Sequence, residues 1–181
     1  MKIKASANIH MGATTNTGRH RNIILVAWDD NHLIGNQNKM PWYIKEDLQL
    51  FKQRTMDHSI VMGRHTWESL GEKPLPGREN VVVSKTLDWK SMPDGSVSIP
   101  DIPTALEIAF LAKEKNNIFI IGGRQIYDFC LKEELVDRMI VTHVYGTHEG
   151  DIYFPDFDED EWDIETTLLA TKFQIKEYKR R

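Results

Sequence analysis

The chain has 181 residues, 40% hydrophobic and 28% charged, with a formal net charge of −4 and a pI near 6.0. That length suits one domain burying roughly 70% of its unfolded surface, and the acidic balance argues against general nucleic-acid binding. The one cysteine, Cys130, excludes an internal disulfide and fits a reducing compartment such as the cytoplasm. Apolar runs such as Ile23 to Trp28 are too short to span a bilayer, and the scattered histidines lack zinc-ligand spacing, so no metal is expected.

Residues 1–20 are polar, rich in small side chains and free of Asp and Glu, with no signal-peptide core. They read as a disordered tail, a targeting extension or a cloning remnant, leaving residues 21–181 as one domain. From Asn22, NIILVAW is a continuous apolar run, as expected of a strand buried on both faces. DDNHLIGNQNKMPW follows as an unusually long loop, hence a candidate functional one. A helix is predicted from about Ile44 to Thr55, then a buried strand HSIVMG, a short helix RHTWESLG, a turn KPLPGREN and a strand VVVSK. TLDWKSMPDGSVSIPD reads as irregular, with a short strand around Val97. IPTALEIAFLAKEKNN is a helix capped by Asp101 or Thr104, IFII a buried strand, and GGRQIYDFCLKEEL a turn and helix. VDRMIVTHVYG is a long strand, DIYFPDFDEDEW an acidic loop with a short strand, and TLLATKFQIKEYKR one or two antiparallel strands. Strands alternating with helices, followed by strands alone, predict an α/β domain. Its sheet is mostly parallel with an antiparallel C-terminal edge, flanked by about four helices.

One carboxylate stands out. Ile44, Leu48, Phe51 and Thr55 stack on one face of the first predicted helix. Asp47 lies at the edge of that stripe, whereas Glu46, Gln49, Lys52 and Gln53 point to solvent. An acid beside a buried stripe is costly unless something polar or cationic meets it. The alternative is an ordinary acid favoured by the helix N-terminal dipole.

Two strand–turn–helix junctions have the composition of phosphate sites. In IVMGRHTW, Gly63 allows close backbone approach, and Arg64, His65 and Thr66 open a helix. In IFIIGGRQIY, Gly122 and Gly123 lie between strand and helix, although helix–sheet packing alone also explains a glycine pair. Arg64, with Ser84 and Lys85 at the end of a strand, is placed to clamp a terminal phosphate. Neither a G-x-G-x-x-G nor a Walker A motif occurs.

Six motifs in order, LVAWDDNHLIGNQNKMPW, IKEDLQLFK, VMGRHTWESLGEKPLPGREN, FIIGGRQIY, IVTHVYG and GDIYFPD, resemble dihydrofolate reductase of the bacterial chromosomal type, from Asn22 to the C-terminus. The resemblance implies a central eight-stranded sheet, a monomer and reduction of 7,8-dihydrofolate to tetrahydrofolate with NADPH. It also implies inhibition by antifolates such as methotrexate and trimethoprim. Asp47 is then similar to the acid that binds the pterin N3 and 2-amino group, and Thr142 to the threonine that braces it. Trp42 resembles the tryptophan that holds a water near the pterin, and Met40 sits in the mobile loop. The backbone of Leu25 and Ile121 would face the pterin 4-position, with Val26 and Lys52 also on the substrate side. Leu48 and Phe51 resemble the apolar walls, and Arg78 the arginine that pairs with the glutamate α-carboxylate. Ala27, Ile34 and Gly35 correspond to residues around the nicotinamide. Gly63, Arg64, His65, Thr66, Ser84, Lys85, Gly122, Gly123, Gln125 and Ile126 would hold the rest of the cofactor, with Tyr127 near both rings. Arg124 stands where many relatives carry a small residue, either pointing outward or adding a phosphate contact. Gln125 stands where some carry an arginine for the 2′-phosphate, a loss that Lys85 is expected to offset. The implied mechanism has Asp47 polarise the pterin while a water delivers the proton to N5. The other readings are a related reductase of a ribosylated pyrimidine and an inactive nucleotide-binding module.

Overall fold

The apolar run that opens the domain forms β1 (Asn22–Trp28), and the sheet is organised about it. The computed structural model describes residues 22–112 and 117–181, so the expectations for residues 1–20 and for helix over 113–116 lie outside the described residues. After β1 come β2 (Leu33–Gly35), α1 (Lys45–Thr55), β3 (Ser59–Gly63), α2 (Arg64–Ser69), β4 (Glu79–Val83) and β5 (Ser96–Ile99). They are followed by α3 (Ile102–Leu111), β6 (Ile118–Ile120), α4 (Arg124–Lys132), β7 (Arg138–Val144), β8 (Ile152–Tyr153), β9 (Trp162–Leu169) and β10 (Phe173–Arg180).

Eight strands form one sheet in the order β5-β4-β3-β6-β1-β7-β10-β9. Strands β5 through β7 of that order run parallel, and β10 is antiparallel to both β7 and β9. The mixed α/β sheet expected from the strand pattern is therefore present. The long loop after β1 is a correction: Leu33 to Gly35 pair with β8 as a separate two-stranded ribbon.

Side chains of β1 alternate between two cores, as a pleated strand requires. Ile24, Val26 and Trp28 join Ala105, Leu106 and Ala109 of α3 and Ile126, Cys130 and Leu131 of α4. Ile23 and Leu25 face the opposite layer, with Ile60, Met62, Trp67 and Phe119, against which Phe51 of α1 packs. Cys130 is fully buried, and burial pushes its thiol up to about 12. Asp101 caps α3, its carboxylate accepting from the Thr104 N–H at 2.9 Å. Helix α1 has no side-chain cap, but Glu46 and Asp47 in its first turn suit the positive end of the dipole.

Candidate active site

The sheet parts at its centre. Strand β1 pairs with β6 only as far as Ile24 and Ile120, yet stays paired with β7 up to Trp28 and His143. Beyond Ile120 the β6 chain turns to β3: the Ile121 N–H donates to the Val61 carbonyl at 3.0 Å, and the Gly63 N–H to the Gly122 carbonyl at 2.8 Å. The divergence leaves one edge of Leu25–Trp28 facing a gap at the carboxyl ends of the strands, where open α/β sheets bind ligands. The Tyr127 hydroxyl spans the gap and donates to the Leu25 carbonyl at 3.0 Å. The resulting cleft has a volume of about 1120 Å³.

Asp47 forms its closed end. The residue is 9% exposed, and the Thr142 hydroxyl of β7 donates to its Oδ1 at 2.6 Å. Burial raises the carboxyl above its ordinary range, while the Thr142 hydrogen bond and the charge of Arg54 oppose that rise. Arg54 itself pairs with Glu177 at 3.0 Å. Leu25, Val26, Leu48, Phe51 and Ile121 line this end, and Leu48 turns an apolar side chain into the open cleft.

Gly63, Arg64, His65 and Thr66 on one side, and Gly122 to Tyr127 on the other, line the opposite end. Gly122 has φ of +126°, and a Cβ there would lie 3.1 Å from the Thr66 hydroxyl and 3.4 Å from that of Tyr127. Only glycine suits that backbone and that space. Arg64 donates through Nε to Glu68 at 2.8 Å and through Nη1 to the Thr86 hydroxyl at 2.6 Å. Arg124 lines the trough and donates to the Tyr153 carbonyl at 2.9 Å, tying α4 to β8. Ala27, Ile34, Gly35, Met40, Gln125 and Ile126 complete the residues anticipated from the sequence that line the cleft.

Five anticipated residues lie off that lining. Arg78 is buried beneath α1, donating to the Pro76 carbonyl at 2.9 Å and the Thr55 hydroxyl at 3.2 Å. Desolvation lowers its pKa, as for a guanidinium among neutral oxygens. Ser84 Oγ accepts from the Thr86 and Leu87 N–H groups, each at 3.2 Å, and Lys85 and Lys52 are exposed. Trp42 borders a separate, smaller hollow with Tyr43 and His148.

The cleft also contains residues that were not singled out from the sequence: Leu50, Arg54, Glu68, Ile140 and Ile175 among them. Their signals were present. Leu50 and Arg54 follow Asp47 by one and two helical turns, and Ile140 shares the strand face of Thr142. Ile175 is paired in register with Thr142.

A split α/β sheet with a carboxylate at one end of its cleft and a glycine-lined trough at the other is the architecture of a small-molecule oxidoreductase. The family model for dihydrofolate reductase matches residues 22–179. The dihydrofolate reductase of Bacillus subtilis is 38% identical over 154 residues, covering 85% of this chain and 87% of that protein. That of Neisseria gonorrhoeae is 39% identical over 139 residues, covering 77% and 82%. Among solved structures, dihydrofolate reductase from Enterococcus faecalis complexed with NADP(H) and RAB-propyl superposes with a TM-score of 0.78. It is 25% identical, and the match covers 90% of this chain and 98% of that one. The chain belongs to the dihydrofolate reductase family.

Proposed function

We infer that the protein reduces 7,8-dihydrofolate to 5,6,7,8-tetrahydrofolate with NADPH. The observation that carries this reading is the buried Asp47–Thr142 pair at the closed end of a cleft large enough for two ligands. An ionised carboxylate offers two acceptor oxygens, and Thr142 occupies only part of that capacity. The remainder matches the adjacent N3–H and 2-amino donors of a pterin, a paired and charge-assisted contact. Leu25 and Ile121 border the same end, and their backbone carbonyls suit the 4-amino group of a diaminopyrimidine inhibitor rather than the 4-oxo group of the pterin.

The trough fits NADPH. Gly63 and Gly122 let Ile126, Thr66 and Tyr127 pack close against the strand ends, and the N-terminus of α4 offers N–H groups to an anion. Arg64, His65 and Thr66 add a cation and polar donors. When bound, NADPH supplies the hydride that reaches C6 of the pterin.

Asp47 fixes the pterin and polarises its ring, and a water carries the proton to N5. Leu48 and Phe51 exclude solvent from the benzoyl ring, and Arg78, buried among neutral oxygens, suits the glutamate α-carboxylate. The segment from Gly35 to Trp42, with Met40 on the cleft, closes over the reacting rings. The 2,4-diaminopyrimidine ring of methotrexate or trimethoprim presents a protonated ring nitrogen and its 2-amino group to Asp47. Absorbance near 340 nm should fall when NADPH and dihydrofolate are mixed with the protein, and methotrexate should raise Tm. No loss of absorbance with dihydrofolate would overturn the reading, and turnover of a ribosylated pyrimidine instead would replace it.

A further inference from the structure

Asp29, at the end of β1, is fully buried, and both of its oxygens are engaged. Oδ1 accepts from the N–H groups of Asn31 and Leu33, at 2.9 and 3.0 Å. Oδ2 accepts from the His148 N–H at 2.8 Å and lies 3.3 Å from His148 Nδ1. The same imidazole meets Trp42 edge to face, with ring centroids 5.1 Å apart at 63°. A chain of contacts thus runs from the end of β1, through the loop between β7 and β8, to the segment that carries Met40 into the cleft.

We propose that His148 is a positioning residue for hydride transfer: anchored on Asp29, its ring holds Trp42, and through Trp42 the segment between Met40 and Asp47. This rests on the reductase reading above. Trp42 lies two residues after Met40 and five before Asp47, both on the cleft lining. A displacement at Trp42 is therefore felt by the mobile segment and by the first turn of α1. Misplacement of reacting groups by about 1 Å is enough to slow a reaction by as much as about 100-fold.

A carboxylate only accepts, so His148 Nδ1 carries the hydrogen and donates it to Asp29. Burial alone would raise the Asp29 carboxyl, but hydrogen bonds from the backbone of Leu33, Asn31 and His148 outweigh it and hold the group below its ordinary range. Asp29 consequently stays a charged acceptor for His148, and the hydrogen bond is charge-assisted. The other titratable groups about this histidine are Tyr43, Tyr145 and Lys172, which share its hollow of about 310 Å³, and the adjacent Glu149. A second clasp, His143 of β7 on Asp30 at 2.6 Å, ties the same turn after β1 to that strand and serves as an internal control.

The test uses the full chain and three variants of His148. His148→Ala should slow single-turnover hydride transfer about three- to thirtyfold, with KM for dihydrofolate changed by less than about threefold. His148→Asn, whose amide can still donate to Asp29, should recover part of the rate. The Trp42-dependent fluorescence, taken as the difference from Trp42→Phe, should change in His148→Ala and His148→Phe and stay unchanged in His143→Gln. A wild-type transfer rate in His148→Ala, or an unaltered Trp42 fluorescence in that variant, overturns the proposal. If the unaltered protein fails to reduce dihydrofolate, the functional reading falls, while the fluorescence arm still decides whether His148 governs Trp42.

Discussion

Thr142 on β7 donates a 2.6 Å hydrogen bond to Asp47 on α1, joining two elements separated by 95 residues in sequence. The bond holds a carboxylate where an apolar helix stripe would otherwise exclude it. The proposed substrate contact and a local cost in stability therefore fall on the same side chain.

Replacing Asp47 by Asn should lower kcat/KM about 10- to 150-fold, the equivalent of losing one charge-assisted hydrogen bond. The same change should stabilise the ligand-free protein. Burial raises the Asp47 carboxyl above its unfolded value of 3.8, so the folded state holds the proton to higher pH. The contribution to stability is present below the unfolded value and is lost as pH rises through the folded one. At pH 7 the Asn variant should melt at a higher temperature than the wild type, a gap that closes toward pH 4. Calorimetry at the two pH values checks the sign, and wild-type turnover at neutral pH would remove Asp47 from the mechanism.

Thr142→Val keeps the shape and deletes the donor. The hydroxyl lowers the Asp47 carboxyl, so its removal should move the Asp47 titration to higher pH, read by carboxyl ¹³C NMR. Turnover at neutral pH should fall by about tenfold. An unmoved titration would mean that the hydroxyl does not support the carboxylate in solution.

Gly122→Ala places a Cβ against the Thr66 and Tyr127 hydroxyls on a backbone with φ of +126°. Strain of this kind costs about 1–3 kcal/mol. The variant should show a lower Tm and weaker NADPH binding by fluorescence titration. An unchanged Kd would dissociate the tight turn from cofactor recognition.

The strand pattern and the Asp47 stripe were legible in the chain because each has a period. β1 reads as six apolar residues in a row, Ile23 to Trp28, and Asp47 breaks a face defined by Ile44, Leu48, Phe51 and Thr55. β2 was not legible, since three residues carry no measurable alternation and are specified only by a partner more than a hundred positions away. The seat of Trp42 against His148 was equally hidden. It depends on a buried Asp29 that sequence alone places in a turn. Arg124 was open in both directions, and its bond to the Tyr153 carbonyl shows it stitching α4 to β8 from within the trough.

Arg64→Ala should distinguish the two pyridine nucleotides. Its guanidinium borders the trough beside Glu68 and Thr86, where a phosphate would be bound by a fork of donors. NADPH affinity should fall about tenfold while NADH affinity changes by less than about twofold. Equal losses for both would place Arg64 on a phosphate common to them. No loss for either would shift the role to Lys85.

The lone thiol offers a clock for the whole molecule. Cys130 is sealed in the α4 core, and its proton is held up to about pH 12. An alkylating reagent at neutral pH should find no thiolate in the closed molecule. Labelling then proceeds only through molecules that have opened, and the adduct accumulates at a rate proportional to their population. A single-cysteine chain thereby reports its own opening equilibrium by mass spectrometry, with no probe introduced.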